Sequence, residues 1–342
     1  MYSRKVANVL FSLWRKARFS AQAVTGFVFW GGLLFVLEGC AIPQLDPSTK
    51  AGLEAIKVEV NRALTSKNCS RAVEVIEQAY YSPYVDNEVR LLMAAAHGCR
   101  AQIEFFPFFL DLADADLVGA GFWESMSRLF YATNSDLLDS RLESSKLATR
   151  ALLAALKSGS VIPVQDQVVD DEDNLGSTNV ADRVDDANLY LIMIAMSEIG
   201  ATQARYGDPD PANNYRKQTP LPWASVADIR GDTANAACAY ASSILNVIDA
   251  IGAVSNQISY GVGSSLNDFR GTFQGQIDSA CQAGCSGVDP VCAAAGLGPT
   301  DCTPCPRVLR DPEQCATSDA AACSALGIID FINTSPLGWQ DV

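Results

Sequence analysis

The chain has 342 residues, of which 49% are hydrophobic and 19% charged, and it contains 11 cysteines and a single histidine. This apolar content is enough for a sizeable packed core and excludes a wholly disordered chain. The formal net charge of -14 argues against nucleic-acid binding, and one histidine argues against histidine-based metal sites and catalytic triads. We therefore expect no nucleic-acid partner and no cofactor.

The N-terminus has the composition of an export signal. Residues 1–18 carry five basic residues and no acid, and residues 19–37 carry no charge. The next four residues are Leu37, Glu38, Gly39 and Cys40. They resemble the lipobox of bacterial lipoproteins, which has Leu at position −3 and a small residue before the cysteine. Glu38 departs from that pattern, because position −2 is normally small or uncharged.

The lipobox resemblance implies how the chain is processed and where it is located. Residues 1–39 would be the signal peptide, Cys40 would be acylated, and residues 40–47 would form a lipidated tether. Many lipoproteins are retained at the inner membrane by an aspartate after the cysteine, and this chain has Ala41 there. The resemblance therefore implies a location on the periplasmic side of the outer membrane. Loss of residues 1–39 would leave twenty basic and thirty-eight acidic residues, a net charge of -18.

An uncleaved signal anchor in the inner membrane is the alternative. Residues 19–37 are about long enough to cross a bilayer, which needs roughly 17–25 residues, and the basic flank would stay in the cytoplasm. Both interpretations place residues 41–342 outside the cytoplasm.

The body is predicted to be all-α, with a helical region at 48–160 and a second at 181–270. Asp46 and Pro47 provide a cap and a first helical residue for a helix at 48–67. Apolar residues at helical spacing predict helices at 69–80 and 86–101, and others are predicted at 117–132, 136–157, 178–206 and 232–254. The stretch from Leu189 to Met196 is apolar at every position, which indicates a helix buried on all sides.

Residues 69–101 resemble one degenerate tetratricopeptide-type unit. The resemblance rests on two sets of positions and on the proline Pro83 between them: Ala72, Ile76 and Ala79, then Val89, Leu92, Met93 and Ala96. It implies hairpins packed as a tetratricopeptide-like bundle, with a concave surface that holds a protein or peptide. Any antiparallel helix pair gives a similar pattern.

Residues 161–180 are predicted to be an acidic linker between the two helical regions. Asp171, Asp173, Gly176 and Asp182 fall at positions 1, 3, 6 and 12 of a calcium-loop pattern. Leu175 at position 5 has no side-chain oxygen, and Asp182 stands where glutamate is usual. The pattern therefore favours a solvated linker over a calcium site.

The ten cysteines other than Cys40 are disulfide candidates. Cys69 begins one predicted helix and Cys99 ends the next, so an antiparallel hairpin would bring them within bonding reach. The others lie in or before a cysteine-rich, loop-rich C-terminal module at 271–342; they are Cys238, Cys281, Cys285, Cys292, Cys302, Cys305, Cys315 and Cys323. These eight allow 105 pairings, among which sequence does not choose. Cys238 could tie the module to the body.

Two alternatives give these cysteines a chemical role. Cys281, Cys285, Cys302 and Cys305 could supply four thiolates to zinc. Cys302 and Cys305 could form a redox pair of the thioredoxin type, although no strand–turn–helix pattern surrounds them. Exported cysteines are usually oxidised, which favours structural disulfides.

Other polar and aromatic features are predicted to be structural. His97, close to a helix end, is expected to be packed and not to act as a base. The aromatic runs Tyr80, Tyr81, Tyr84 and Phe105, Phe106, Phe108, Phe109 are expected in the core between helices; if exposed, they would be the best candidate partner surface. The proline-rich loop 207–223, which ends at Trp223, is a second candidate.

These features together predict a non-catalytic envelope lipoprotein. Its helical body would hold or assemble an envelope protein complex while a lipid anchor attaches it to the membrane. The alternative is a ligand-binding lipoprotein that serves a transporter and uses a pocket between helices around Leu189–Ile199. A third class, an envelope enzyme, is disfavoured because the sequence shows no nucleophile–base pair and no metal-ligand cluster.

Overall fold

The computed structural model describes residues 45–103, 121–156, 180–254, 262–286 and 289–342, and most of these residues are helical. The N-terminal helices are α1 (Lys50–Thr65), α2 (Cys69–Tyr80), α3 (Asn87–Arg100), α4 (Phe122–Leu129), α5 (Ser135–Ala155) and α6 (Val180–Tyr206). The remaining α-helices are α7 (Val226–Gly231), α8 (Ala236–Val254), α9 (Val262–Cys285), α10 (Pro290–Ala294), α11 (Pro312–Cys315) and α12 (Asp319–Thr334). The all-α fold class is therefore confirmed.

The first residues of these helices are set by short polar side chains that accept hydrogen bonds from backbone N–H groups. Thr49, Asn68 and Asp86 cap α1, α2 and α3 in this way. The predicted cap Asp46 was wrong for α1, because its carboxylate accepts hydrogen bonds from Ser48 and closes a turn ahead of the helix. The first helix therefore begins at Lys50, two residues later than predicted.

Consecutive long helices pack against one another in chain order. Contacts join α1 to α2, α2 to α3, α3 to α5, α5 to α6, α6 to α8, α8 to α9 and α9 to α12. An ion pair between Asp139 near the start of α5 and Arg205 near the end of α6 shows that these two helices are antiparallel. The described residues belong to one compact unit, which contains both predicted helical regions.

The centre of the core is formed by α6 and α8. Residues 191–203 of α6 are buried on every side, which confirms the predicted buried run from Leu191 to Met196, whereas Leu189 and Tyr190 are only partly buried. Helix α8 is long and apolar enough to cross a membrane, but 83% of its apolar window is buried inside the protein. Within the described part of the chain, α8 is therefore a core helix.

Two long helices that the sequence analysis did not predict frame the C-terminal module. Helices α9 and α12 cross at Gly284 and Gly327, where a side chain on either residue would overlap the opposite backbone. The predicted boundary at residue 270 falls inside α9. The loop-rich part is therefore confined to the connection between these helices, which also contains short helices starting at Pro290 and Pro312.

The loop between α6 and α7 contains a small antiparallel hairpin. Strands β1 (Pro209–Asp210) and β2 (Arg216–Lys217) pair Pro209 with Lys217 and Asp210 with Arg216. The C-terminal tail adds to β2 through a parallel bridge between Lys217 and Asp341.

Candidate functional site

Five disulfides consume ten of the eleven cysteines. The pairs are Cys69–Cys99, Cys238–Cys315, Cys281–Cys305, Cys285–Cys302 and Cys292–Cys323. Their Cα–Cα separations run from 5.4 to 6.1 Å, within the usual range for a disulfide. Cys40 therefore has no other cysteine in the chain with which to pair.

The Cys69–Cys99 bond confirms the pairing predicted for the hairpin. Cys69 is the first residue of α2 and Cys99 is the penultimate residue of α3. Because the two helices are antiparallel, these positions lie side by side. The cross-link closes the hairpin at its open end, opposite the loop that joins the two helices.

The disulfides of the C-terminal module contradict both chemical alternatives for its cysteines. Cys281 is bonded to Cys305 and Cys285 to Cys302, so none of the four is available as a thiolate for zinc. The same pairing means that Cys302 and Cys305 do not form a disulfide with each other. No group of three or more potential metal ligands occurs among the described residues.

Cys238 ties the module to the body, as expected. It lies in the first turn of α8 and bonds to Cys315, the last residue of α11. Ser242, one turn further along α8, donates a hydrogen bond to the carbonyl of Leu309, and Asn246 donates to the carbonyl of Arg310. One face of the central helix is therefore joined both covalently and by hydrogen bonds to the module.

The calcium-loop prediction lies mostly outside the described residues. Asp171, Asp173 and Gly176 belong to the segment 157–179, which the structure does not describe. Asp182 is the third residue of α6. The calcium hypothesis and the acidic linker at 161–180 therefore stay predictions.

His97 is packed inside the protein, as predicted. Its ring is fully buried in the last turn of α3, and neither ring nitrogen has a hydrogen-bond partner within the described structure. The nearest carboxylate oxygen, Oε1 of Glu77, lies 4.0 Å from Nε2. Burial and the nearby charge of Arg100 lower the pKa of His97 to about 4, so the imidazole is neutral at pH 7.

Helices α5 and α6, which pack against each other, carry a set of buried polar side chains, here called the polar seam, that the sequence did not predict. It consists of Ser145, Thr149, Glu198 and Thr202, each at most 1% exposed. Within each helix the two residues are four positions apart and share a face. One polar atom of each side chain makes no hydrogen bond with the described residues.

Glu198 is the ionisable member of the seam. Complete burial raises its pKa well above the ordinary value, while the positive charge of Lys146 partly opposes that shift. Burial therefore favours the protonated, uncharged form of Glu198. Its position directly after an apolar run is the one sequence signal that could have identified it as a buried acid.

The aromatic run after α2 is split between core and surface. Tyr80 is 5% exposed, as predicted, whereas Tyr81 and Tyr84 are each 57% exposed. The prediction that Tyr81 and Tyr84 belong to the core was therefore wrong. Both residues lie in the loop that contains Pro83 and joins α2 to α3. Phe105, Phe106, Phe108 and Phe109 lie outside the described residues.

The second candidate partner surface does not expose its tryptophan. Trp223 is 6% exposed and packs against Tyr206, with ring centroids 4.8 Å apart. The proline-rich loop 207–223 is instead fixed by Lys217, a buried lysine. Its ammonium donates to the carbonyls of Asn333 and Trp339 and pairs with Asp341.

Comparisons of the chain with protein-family models, with curated proteins and with solved structures give no match.

Proposed function

We propose that this chain is a non-catalytic lipoprotein of the bacterial cell envelope, attached to the outer membrane through Cys40 and acting as a helical scaffold for an envelope protein complex. The observation that carries the proposal is the disulfide pairing. It uses every cysteine except the one in the lipobox-like sequence. An eleventh cysteine that is spared from pairing and preceded by an apolar signal matches the chemistry of an acylated N-terminus.

The pairing also supports the proposed compartment. Structural disulfides persist in oxidising spaces such as the periplasm and are rare in the cytosol. Both the lipoprotein and the signal-anchor interpretations place the body in the periplasm. Ala41 at the position after the cysteine favours transfer to the outer membrane.

The scaffold role is supported by the way the body is built. Cross-links join neighbouring helices at several points along the chain, which reduces the conformational entropy of the unfolded body. His97 and Glu198 are both buried, and burial shifts the pKa of each towards its uncharged form. A rigid body of this kind is suited to present a fixed surface to a partner.

The ligand-binding alternative would use helix α6 around Leu189–Ile199. Close packing in this region gives it less support. A methyl group on Gly98 of α3 would overlap the hydroxyl of Tyr190, and one on Gly200 would overlap the backbone of Met126 in α4. The backbone of α3 therefore touches a side chain of α6, and the backbone of α4 approaches that of α6 directly at Gly200.

Acylation of Cys40 is tested by counting thiols and by mass spectrometry on the protein purified from membranes. The expected result is no free thiol under denaturing, non-reducing conditions, together with an N-terminal peptide that starts at diacylated Cys40. Cys40→Ser is the matched variant and should lose the lipid while it keeps the five disulfides. One free thiol per chain and an intact Met1 peptide would instead support the signal anchor.

The scaffold role is tested by photocrosslinking in intact cells. A photoreactive residue replaces Val58, an apolar residue of α1 that is 69% exposed, and in a second variant Leu337, which is 58% exposed. The exposed Thr65 at the end of α1 serves as the control position. We expect one discrete envelope-protein adduct that depends on Cys40. Absence of a discrete adduct at both positions in correctly anchored protein would contradict the scaffold role.

A further inference from the structure

The loop between α2 and α3 presents two exposed tyrosines at the end of the body where the N-terminal tether enters. We propose that this loop, residues 81–86, is a membrane contact: Tyr81 and Tyr84 insert into the headgroup region of the bilayer that holds the lipid anchor. The inference rests on the proposed acylation of Cys40 and adds an orientation of the body to it.

The first step is the position of the loop relative to the start of α1. Helices α1 and α2 are joined by a short turn at residues 66–68, so they form a hairpin in which the end of α2 lies beside the beginning of α1. Lys57 of α1 confirms this arrangement by pairing at once with Glu54 on its own helix and with Asp86 and Glu88 at the start of α3. The loop is therefore level with the first turns of α1.

The second step is the point at which the tether leaves the body. Leu45 packs against the core, and the backbone of Asp46 contacts Gly52 so closely that a side chain on that glycine would overlap it. The chain is therefore fixed next to the first turn of α1. Cys40 precedes Leu45 by five residues, which reach at most about 17 Å when fully extended. A bilayer that holds the acyl chains of Cys40 therefore has to lie within about 17 Å of Leu45.

The third step is the chemistry of the two side chains. Tyrosine combines an apolar ring with a polar hydroxyl, and it is enriched where a protein meets the headgroup layer of a membrane. Tyr81 packs edge-on against the buried Tyr80, with ring centroids 5.1 Å apart, so its ring has a fixed base. Of the exposed large apolar side chains among the described residues, Tyr81 and Tyr84 are the two that share one loop.

The charge around the loop specifies the kind of lipid. Three carboxylates, from Glu54, Asp86 and Glu88, surround the single ammonium of Lys57. This excess of negative charge repels anionic headgroups at low salt. The loop is therefore suited to a zwitterionic surface such as one rich in phosphatidylethanolamine, and not to an anionic one.

The test uses the full acylated protein in phosphatidylethanolamine-rich vesicles whose acyl chains carry bromine, which quenches tryptophan on contact. Tyr84→Trp places the probe in the loop, and Leu337→Trp is the matched control at an equally exposed position on the C-terminal tail. We expect the added emission of Tyr84→Trp to be quenched several-fold more than that of Leu337→Trp. Replacing part of the lipid with phosphatidylglycerol should reduce the effect at low salt.

Equal quenching at the two positions would overturn the proposal, provided that circular dichroism shows both variants folded. A photoreactive residue at position 84 that forms only protein adducts in cells would also overturn it, in favour of a protein partner. A missing lipid anchor is detected separately, because mass spectrometry shows whether Cys40 is acylated before the vesicles are prepared. Acylated protein with an unquenched loop would leave the proposed function in place and reject the membrane contact.

Discussion

The ammonium of Lys57 lies 2.7 Å from Oδ2 of Asp86, which is 29 residues later in the chain, while Oδ1 of the same carboxylate caps helix α3. Both side chains are largely buried. Burial opposes the charge of Lys57, but the hydrogen bonds that its ammonium donates to Asp86, Glu54 and Glu88 outweigh burial and raise its pKa. One carboxylate thus joins α1 to α3 and also starts α3.

Replacing Lys57 should destabilise the protein strongly. Lys57→Met leaves Asp86 as a buried charge without its cation, which costs about 3–5 kcal/mol in comparable pairs. The free energy of unfolding in urea measures the effect. Lys57→Met combined with Asp86→Asn should recover part of the loss, because the asparagine still caps α3 without a charge. A loss of less than about 1 kcal/mol for Lys57→Met would show that the pair contributes little.

His97 should make the protein less stable in mild acid. The folded-state pKa of His97 is about 4, below the value of 6.5 for a free imidazole, so only the unfolded chain takes up the proton between these values. Stability is therefore complete above pH 6.5 and falls as the pH decreases towards 4. Because the chain has one histidine, His97→Leu removes the whole imidazole contribution.

The expected size of the histidine effect is about 1.5 kcal/mol between pH 6.5 and 5, a range in which few carboxylates titrate. Urea unfolding at both pH values measures it in the natural protein and in His97→Leu. An unchanged difference between the two pH values in His97→Leu would contradict the assignment.

Glu198→Gln should stabilise the protein at neutral pH and not in acid. Burial raises the pKa of the folded carboxyl, so the folded protein holds this proton to a higher pH than the unfolded chain, which releases it above about pH 4.5. A carboxyl group whose pKa is higher in the folded state therefore lowers the free energy of unfolding as the pH rises. The loss is about 1.4 kcal/mol per pH unit until the folded group also ionises. Glutamine has the same shape and cannot ionise. Glu143→Gln, at a half-exposed position of α5, is the control and should change stability by no more than about 0.5 kcal/mol.

Removal of the Cys238–Cys315 bond should cost more than removal of Cys285–Cys302. The two cysteines are 77 and 17 residues apart, so chain entropy assigns at most about 4.5 kcal/mol to the first bond and about 3 kcal/mol to the second. Other disulfides lie inside the longer loop and reduce the first value. Double alanine variants compared by urea unfolding measure the order, and a reversed order would show that the module is joined to α8 mainly by noncovalent contacts.

Gly327→Ala should destabilise the crossing of α9 and α12. The added methyl would overlap the carbonyl of Ala280, and overpacking of this kind costs about 1–3 kcal/mol. Gly275→Ala is the matched control, because this residue lies in α9 and no atom lies within 4 Å of the position that its Cβ would occupy. The alanine should stabilise the helix by about 0.5–1 kcal/mol. Thermal unfolding monitored by circular dichroism distinguishes the two opposite shifts, and equal behaviour of the two variants would contradict the close crossing.

Local sequence patterns were sufficient to predict the position of those helices that have a regular apolar face or clear caps. The helix predicted at 69–80 is observed as Cys69–Tyr80, and that at 178–206 begins at Val180 and ends at Tyr206. The Cys69–Cys99 bond was also predictable, because a hairpin of two adjacent helices fixes which ends are neighbours. Helices α9 and α12 were missed because their glycines, cysteines and alanines resemble loop composition, although those small residues allow the two backbones to meet.

The sequence by itself determined the helical class, the oxidised state of the cysteines and the resemblance of the N-terminus to a lipoprotein signal, because each depends on residues close together in the chain. Only the tertiary structure decided which of the many cysteine pairings forms, since partners such as Cys238 and Cys315 meet through helices that are distant in sequence. It also decided that Glu198 is buried while Tyr81 and Tyr84 are exposed. Exposure depends on which neighbouring helices cover a residue, and a residue's own polarity does not specify those neighbours.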